Sequence, residues 1–119
     1  MFAERGDHLT LLGRDAADLD RSARDLEARG APVPVAVAAC DLGQPATFAP
    51  ALDAAGAALG RIDPVVVTAG AFATQDALEA DPARARQVLD VDFTGFVLFC
   101  EAARKRLLAA GGGTLCVLS

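Results

Sequence analysis

No tryptophan and no tyrosine occur among the 119 residues of this chain, and histidine and methionine occur once each. Without tyrosine, no mechanism that needs a phenol as proton donor can run on these residues alone. The single histidine, His8, has no second ligand in register, so no metal site is expected there. Cysteine is sparse too: Cys40, Cys100 and Cys116 are odd in number, far apart and outside any C-x-x-C pattern. That spacing indicates neither a disulfide framework nor a zinc site, and the three read as small apolar fillers. Long hydrophobic runs are missing, since nothing approaches the ~20 apolar residues that a bilayer-crossing helix needs. Glu4, Arg5, Asp7 and His8 interrupt the N-terminal stretch, so no secretory leader is read there. Positive charge is in deficit, with 11 Lys and Arg against 16 Asp and Glu and a net charge of -5. An acidic chain repels phosphate backbones, which disfavours nucleic acid as a partner. A cytoplasmic protein without membrane attachment is the expectation.

What is present is enough apolar residue for a packed core: 53% of the chain is hydrophobic and 23% charged, at a length that allows one domain. Strand and helix patterns alternate. His8–Leu12 is β-compatible and closed by Gly13. Asp15–Arg29 reads as a helix, with Asp15 as N-cap, Leu19, Ala23 and Leu26 at helical spacing, and Gly30 as its stop. Val33–Ala39 reads as a strand near an edge or a strand start, because Pro34 cannot donate to a ladder. Gln44–Leu59 reads as a helix with Phe48, Leu52, Ala55 and Leu59 on one face. Pro64–Thr68 is continuously apolar, as in a strand buried on both faces. An irregular stretch follows, then one long helix from Pro82 to Ala110, bent near Thr94-Gly95 and ended by Gly111, Gly112 and Gly113. Thr114–Leu118 is the last strand. Strands separated by single helices imply an α/β fold with a parallel sheet covered on both faces.

In open parallel sheets, ligands bind outside the carboxyl ends of the strands. Those ends carry Gly13-Arg14-Asp15, Cys40-Asp41-Leu42, Thr68-Ala69-Gly70 and Ser119. The succession LLGRD, ACDL, VTAG, VDFTG and GGTLCVLS, in that order and spacing, resembles the short-chain dehydrogenases/reductases. The resemblance covers essentially the whole chain and matches roughly half of that family's usual length. It implies a doubly wound Rossmann sheet and an oxidoreductase that interconverts an alcohol and a ketone with a nicotinamide cofactor.

The resemblance also implies roles for particular residues. Arg14 would grip the 2′-phosphate of NADP bidentately, with NAD the alternative cofactor; read without the family, it is a surface arginine near a turn. Asp41 would contact the adenine amino group and Leu42 would pack near the ring, although an Asp at a strand-to-helix junction is also an ordinary N-cap. Ala69 and Gly70 match the end of the family's Asn-Asn-Ala-Gly segment, where glycine lets the backbone approach the cofactor closely. Val67 and Thr68 replace both asparagines, which leaves open how that turn is braced. Asp92 stands where the family has a helix asparagine that supports a proton-relay water. It is the catalytic candidate, and a carboxylate there adds negative charge. Ser119 aligns with the first serine of the family's Ser-Ser pair, for which no catalytic role is read.

The glycine-rich phosphate turn would precede Met1 and the Tyr-x-x-x-Lys pair would follow Ser119. Residues 1–119 are therefore expected to form a partial NAD(P)-binding Rossmann domain, with an incomplete sheet and no activity alone. In the strand order 3-2-1-4-5-6 the absent first strand lies between the second and the fourth. Those two either pair directly or leave two open edges, and the isolated chain is expected to be marginal. The VTAG and VDFTG variants resemble a subgroup acting on sugar-like ketones, and a small alcohol or carbonyl compound is the expected substrate. Phe93, Phe96 and Phe99 would serve either the core or a partner subunit in a homo-oligomer. Two other readings stand beside this one. One is a phospho-accepting receiver domain with Asp41 as acceptor and Thr68 as its switch residue. The other is a non-catalytic Rossmann-like piece that binds a partner.

Overall fold

Ladder hydrogen bonding in the computed structural model, which describes residues 1–118, starts where backbone donors become available. β1 (Thr10–Gly13) pairs in parallel with β2 (Ala36–Ala39), Thr10 opposite Ala36. The strand expected from Val33 is shortened to Ala36. Pro34 has no N–H, and the Val35 N–H donates to Glu27 Oε1 at 2.8 Å instead. The Ala36 N–H is the first to reach across, to the Leu9 carbonyl at 3.2 Å. β3 (Pro64–Val67) pairs in parallel with β4 (Thr114–Val117), Pro64 opposite Thr114. The pairs are not hydrogen-bonded to each other and stand as separate two-stranded sheets. Of the two outcomes expected for a sheet without its central strand, the open-edged one is observed.

The helices follow their caps. α1 (Ala16–Ala28) begins where the Asp15 carboxylate accepts the Asp18 N–H at 2.9 Å. It closes at Gly30, whose φ of 107° is in the left-handed region that glycine adopts without strain. α2 (Phe48–Leu59) does not start at Gln44 as expected, because a 3-10 turn over Pro45–Thr47 leads into it. The stretch expected to be irregular contains α3 (Gln75–Ala80), capped by the Thr74 hydroxyl, which accepts the Ala77 N–H at 3.3 Å. The single long helix expected over Pro82–Ala110 is three pieces: α4 (Pro82–Leu89), a π-helical turn (Asp90–Gly95) and α5 (Phe96–Ala109). The wide turn lies where Gly95 meets the loop after β2. A Cβ at Gly95 would overlap the Leu42 carbonyl oxygen, so helix and loop touch backbone to backbone.

α2 is the centre of the core. Phe48, Ala51, Leu52 and Ala55 are buried at i, i+3, i+4 and i+7. They pack with Leu12 and Ala38 of the first sheet, Val65, Val67 and Leu115 of the second, and Phe99 and Ala103 of α5. The Phe48 and Phe99 rings meet edge to face at 5.4 Å. The opposite face of the first sheet is covered by α1, through Ala23 and Leu26, together with Ala3, Ala31 and Val35 from the segments around it, against Leu9 and Leu11.

The second sheet has no such cover on its opposite face among the described residues. Val67 is 5% exposed but Val66 is 40% exposed, and Cys116 beside it is exposed. The expectation that Pro64–Thr68 is buried on both faces is thereby corrected, as is the expectation that the parallel sheet is covered on both faces throughout. The radius of gyration, 15.4 Å, exceeds the roughly 13.5 Å expected of a compact domain of this length.

Candidate functional site

The carboxyl ends of β1, β2 and β3 lie on one side of the molecule and open into two adjoining clefts. The larger, of about 450 Å³, separates the two sheets and is lined at its mouth by Arg14, Asp41, Leu42, Ala69 and Gly70. The smaller, of about 330 Å³, lies between the strand ends and α4, and is lined by Arg14, Asp41, Gly43, Arg86 and Asp90. Arg14, Asp41 and Val91 line both. The fold thus brings all five residues expected to hold a cofactor to the same rim.

Each is held there by local chemistry. Arg14 directly follows β1 and is exposed. Neither Arg14 nor Arg86 takes part in an ion pair among the described residues. Asp41 donates its N–H to Thr47 Oγ1 at 2.9 Å, and its Oδ1 accepts the Gly43 N–H at 2.8 Å. This is an Asx turn rather than the expected helix N-cap, because the 3-10 turn moves the start of α2 away. The turn occupies one carboxylate oxygen. Leu42 is buried in the main core as well as lining the larger cleft.

Asp92 sits in the π-helical turn, and its Oδ1 accepts the Ala71 N–H. Its carboxylate also lies 3.3 Å from where a Cβ on Gly70 would stand. The turn after β3 is therefore braced by Asp92, which answers how it is held without the two asparagines. Ser119 lies outside the described residues. Burial pushes the Cys40 thiol pKa up; a Thr47 hydrogen bond lowers it in part, and the Asp41 charge adds to the rise. Cys40 is accordingly held toward its neutral thiol form beside the site.

Sequence reasoning missed Arg86 and Gln87, which reach the smaller cleft from α4, and Asp90, which reaches it from the start of the π-helical turn. The available signal was their helical spacing one turn after the Asp81-Pro82 start, but nothing in it says which strand ends α4 faces. The receiver reading requires acidic groups clustered to hold a cation. No group of three metal-ligating side chains occurs among the described residues. No helix among them is long and apolar enough to cross a membrane.

A family profile described as Enoyl-(Acyl carrier protein) reductase matches residues 1–119. Galactitol 2-dehydrogenase (L-tagatose-forming) of Cereibacter sphaeroides is 36% identical over 117 residues, covering 96% of this chain and 43% of that protein. D-threitol dehydrogenase of Mycolicibacterium smegmatis is 38% identical over 77 residues, covering 65% of this chain and 30% of that protein. The solved structure of a short-chain type dehydrogenase/reductase from Mycobacterium marinum aligns with a TM-score of 0.86 at 27% identity, over 98% of this chain and 47% of that one. The chain belongs to the short-chain dehydrogenase/reductase family, a family of oxidoreductases, and its fold is part of that family's Rossmann-like α/β fold. It spans less than half the length of these relatives.

Proposed function

We propose that this chain supplies the adenosine-binding part of an NADP-preferring dehydrogenase that interconverts an alcohol and a ketone, with a sugar alcohol as the substrate class. The observation that carries the reading is Arg14: exposed, without an ion pair, and on the rim shared by both clefts. A guanidinium in that position suits bidentate contact with a 2′-phosphate. Asp41 has one carboxylate oxygen left for an exocyclic amine once Gly43 has taken the other. Ala69 and Gly70 offer a low backbone wall to a flat ligand. When bound, the nicotinamide supplies or takes up the hydride. Asp92 serves this site as a positioning residue, holding the turn after β3 through Ala71. The substrate class rests on the two relatives named for galactitol and D-threitol. It stands against the enoyl reductase of the family description, which reduces a carbon–carbon double bond. The 119 residues alone are inactive on this reading, because they hold no tyrosine to act as acid.

The test is titration of the 119-residue chain with 2′,5′-ADP and with 5′-AMP. The doubly phosphorylated nucleotide should bind at least tenfold tighter, and Arg14→Ala should abolish the difference. Equal affinities in the unsubstituted chain overturn the cofactor preference. Turnover of galactitol or D-threitol with NADP by the purified chain overturns the expected inactivity.

A further inference from the structure

α4 lies across the smaller cleft from the ends of β1 and β2, yet the side it turns to them is not apolar. Ala83, Arg86, Gln87 and, at the start of the π-helical turn, Asp90 line that cleft. Their spacing of i, i+3, i+4 and i+7 is one stripe of a helix. Three of the four are polar, while the apolar Leu89 beside them is 63% exposed, and no residue of α4 is buried. Packing onto a core does not account for such a stripe. A polar occupant of the cleft does.

The charges on the cleft wall decide what that occupant is. Arg14 comes from the end of β1, Asp41 from the turn after β2, Arg86 from α4 and Asp90 from the π-helical turn. Neither guanidinium is ion-paired with either carboxylate. With Arg14 as the sole cation, one positive charge would face two negative ones, and the cleft would repel an anion. Arg86 restores the balance. A phosphomonoester carries close to two negative charges at neutral pH, more than one guanidinium neutralises, and its three terminal oxygens give two forks their acceptors.

We infer that Arg86 is a specificity-determining residue that reaches into the smaller cleft from α4 and grips the 2′-phosphate from the side opposite Arg14. The inference rests on the NADP reading of Arg14 and adds a second contact to it. Arg14 sets the phosphate at the end of β1, and Arg86 closes on it there, so the second contact depends on the first. Asp41, with one oxygen held by the Gly43 N–H, keeps the other for the adenine amine.

The test is calorimetric titration of the 119-residue chain with 2′,5′-ADP and with 5′-AMP, read as the ratio of the two affinities. Both carry the 5′-phosphate, so the ratio isolates the 2′-phosphate. Arg86→Ala should reduce the preference for 2′,5′-ADP from about tenfold or more to about threefold or less. Arg86→Lys, which keeps the charge and loses the fork, should fall between the two. Arg84→Ala, on the same helix but off the cleft, should leave the ratio unchanged. Arg86→Ala added to Arg14→Ala should change it no further. At about pH 5 the phosphate has taken up a proton, and there Arg86→Ala should change the ratio by about twofold or less. Arg84 and Arg86 are exposed, so all variants should melt with the unsubstituted chain. A preference that Arg14→Ala abolishes and Arg86→Ala leaves intact would overturn the inference and spare the NADP reading. Equal weakening of both nucleotides by Arg86→Ala would also overturn it, because the residue would then serve the adenosine and not the phosphate. Equal affinities in the unsubstituted chain would overturn the NADP reading and the inference with it.

Discussion

The two sheets have equal numbers of strands, the same parallel pairing and registers of equal length, yet only the first is covered on both faces. Its own crossover, α1, folds back on one side, and α2 leaves on the other to reach β3. The connection from β3 to β4 runs through α3, α4 and α5, and α5 lies on the face that α2 already shares. Nothing among the described residues crosses behind Val66 and Cys116. A parallel ladder is thus neutral about its own burial; the crossovers decide it.

The comparison can be broken or sharpened by substitution. The largest effect should come from Gly95→Ala, whose methyl group meets the Leu42 backbone. A loss of about 4 kcal/mol or more is expected, read from urea denaturation, and it should unfold both halves because Leu42 belongs to the shared core. Leu52→Ala empties the centre of that core, where the side chain is 2% exposed. It should cost about 3 kcal/mol and likewise spare neither sheet. Val67→Ala and Val66→Ala then separate the two faces of one strand. The first should cost about 1–2 kcal/mol and the second less than about 0.5 kcal/mol; equal costs would show the bare face to be covered.

The smallest effect is chemical. Cys116 is exposed and Cys40 is buried with its thiol pKa raised. Iodoacetamide at neutral pH should label Cys116 at least tenfold faster. Labelling of Cys40 should become appreciable only as pH rises past the ordinary thiol range, because the thiolate is the reacting form.

Much of this architecture was legible in the residues. Phe48, Leu52 and Ala55 are buried as their spacing requires, and Leu59, at the end of the same stripe, is half-buried at the cleft wall. Arg14, Asp41, Leu42, Ala69 and Gly70 converge because parallel strands place their carboxyl ends together. What could not be read depended on partners distant in sequence. Three successive valines look the same whether one face or two is covered, so the exposure of Val66 was hidden. α3 was missed because its six residues are too short for an apolar period to show, leaving the Thr74 cap as its only signal. Asp92 could be placed at a helix bend, but not matched to the Ala71 N–H across 21 positions. Arg86 joined the site only once α4 was seen to lie over the ends of β1 and β2.

The wide turn at Asp90–Gly95 has a consequence for the length of the chain. An α-helix closes each turn in 3.6 residues, whereas a π turn bonds i to i+5 and so holds about one residue more. That surplus is taken up within the turn, so α4 and α5 keep a common rotational phase on either side of it. Val91 and Gly95 face inward within the turn, and Phe99, Ala103 and Leu107 continue that inward line along α5, while Leu89 and Phe93 are left outside. Each helical residue advances the phase by about 100°. Deleting one residue here would return the turn to α geometry and leave Phe99 on the Phe48 ring, whereas adding a further one would turn α5 by that angle; the exposed connection around Gly60 and Arg61 can change length without turning any helix. Between Asp90 and Gly95 the helix can therefore lose one residue, but not gain one, without turning α5.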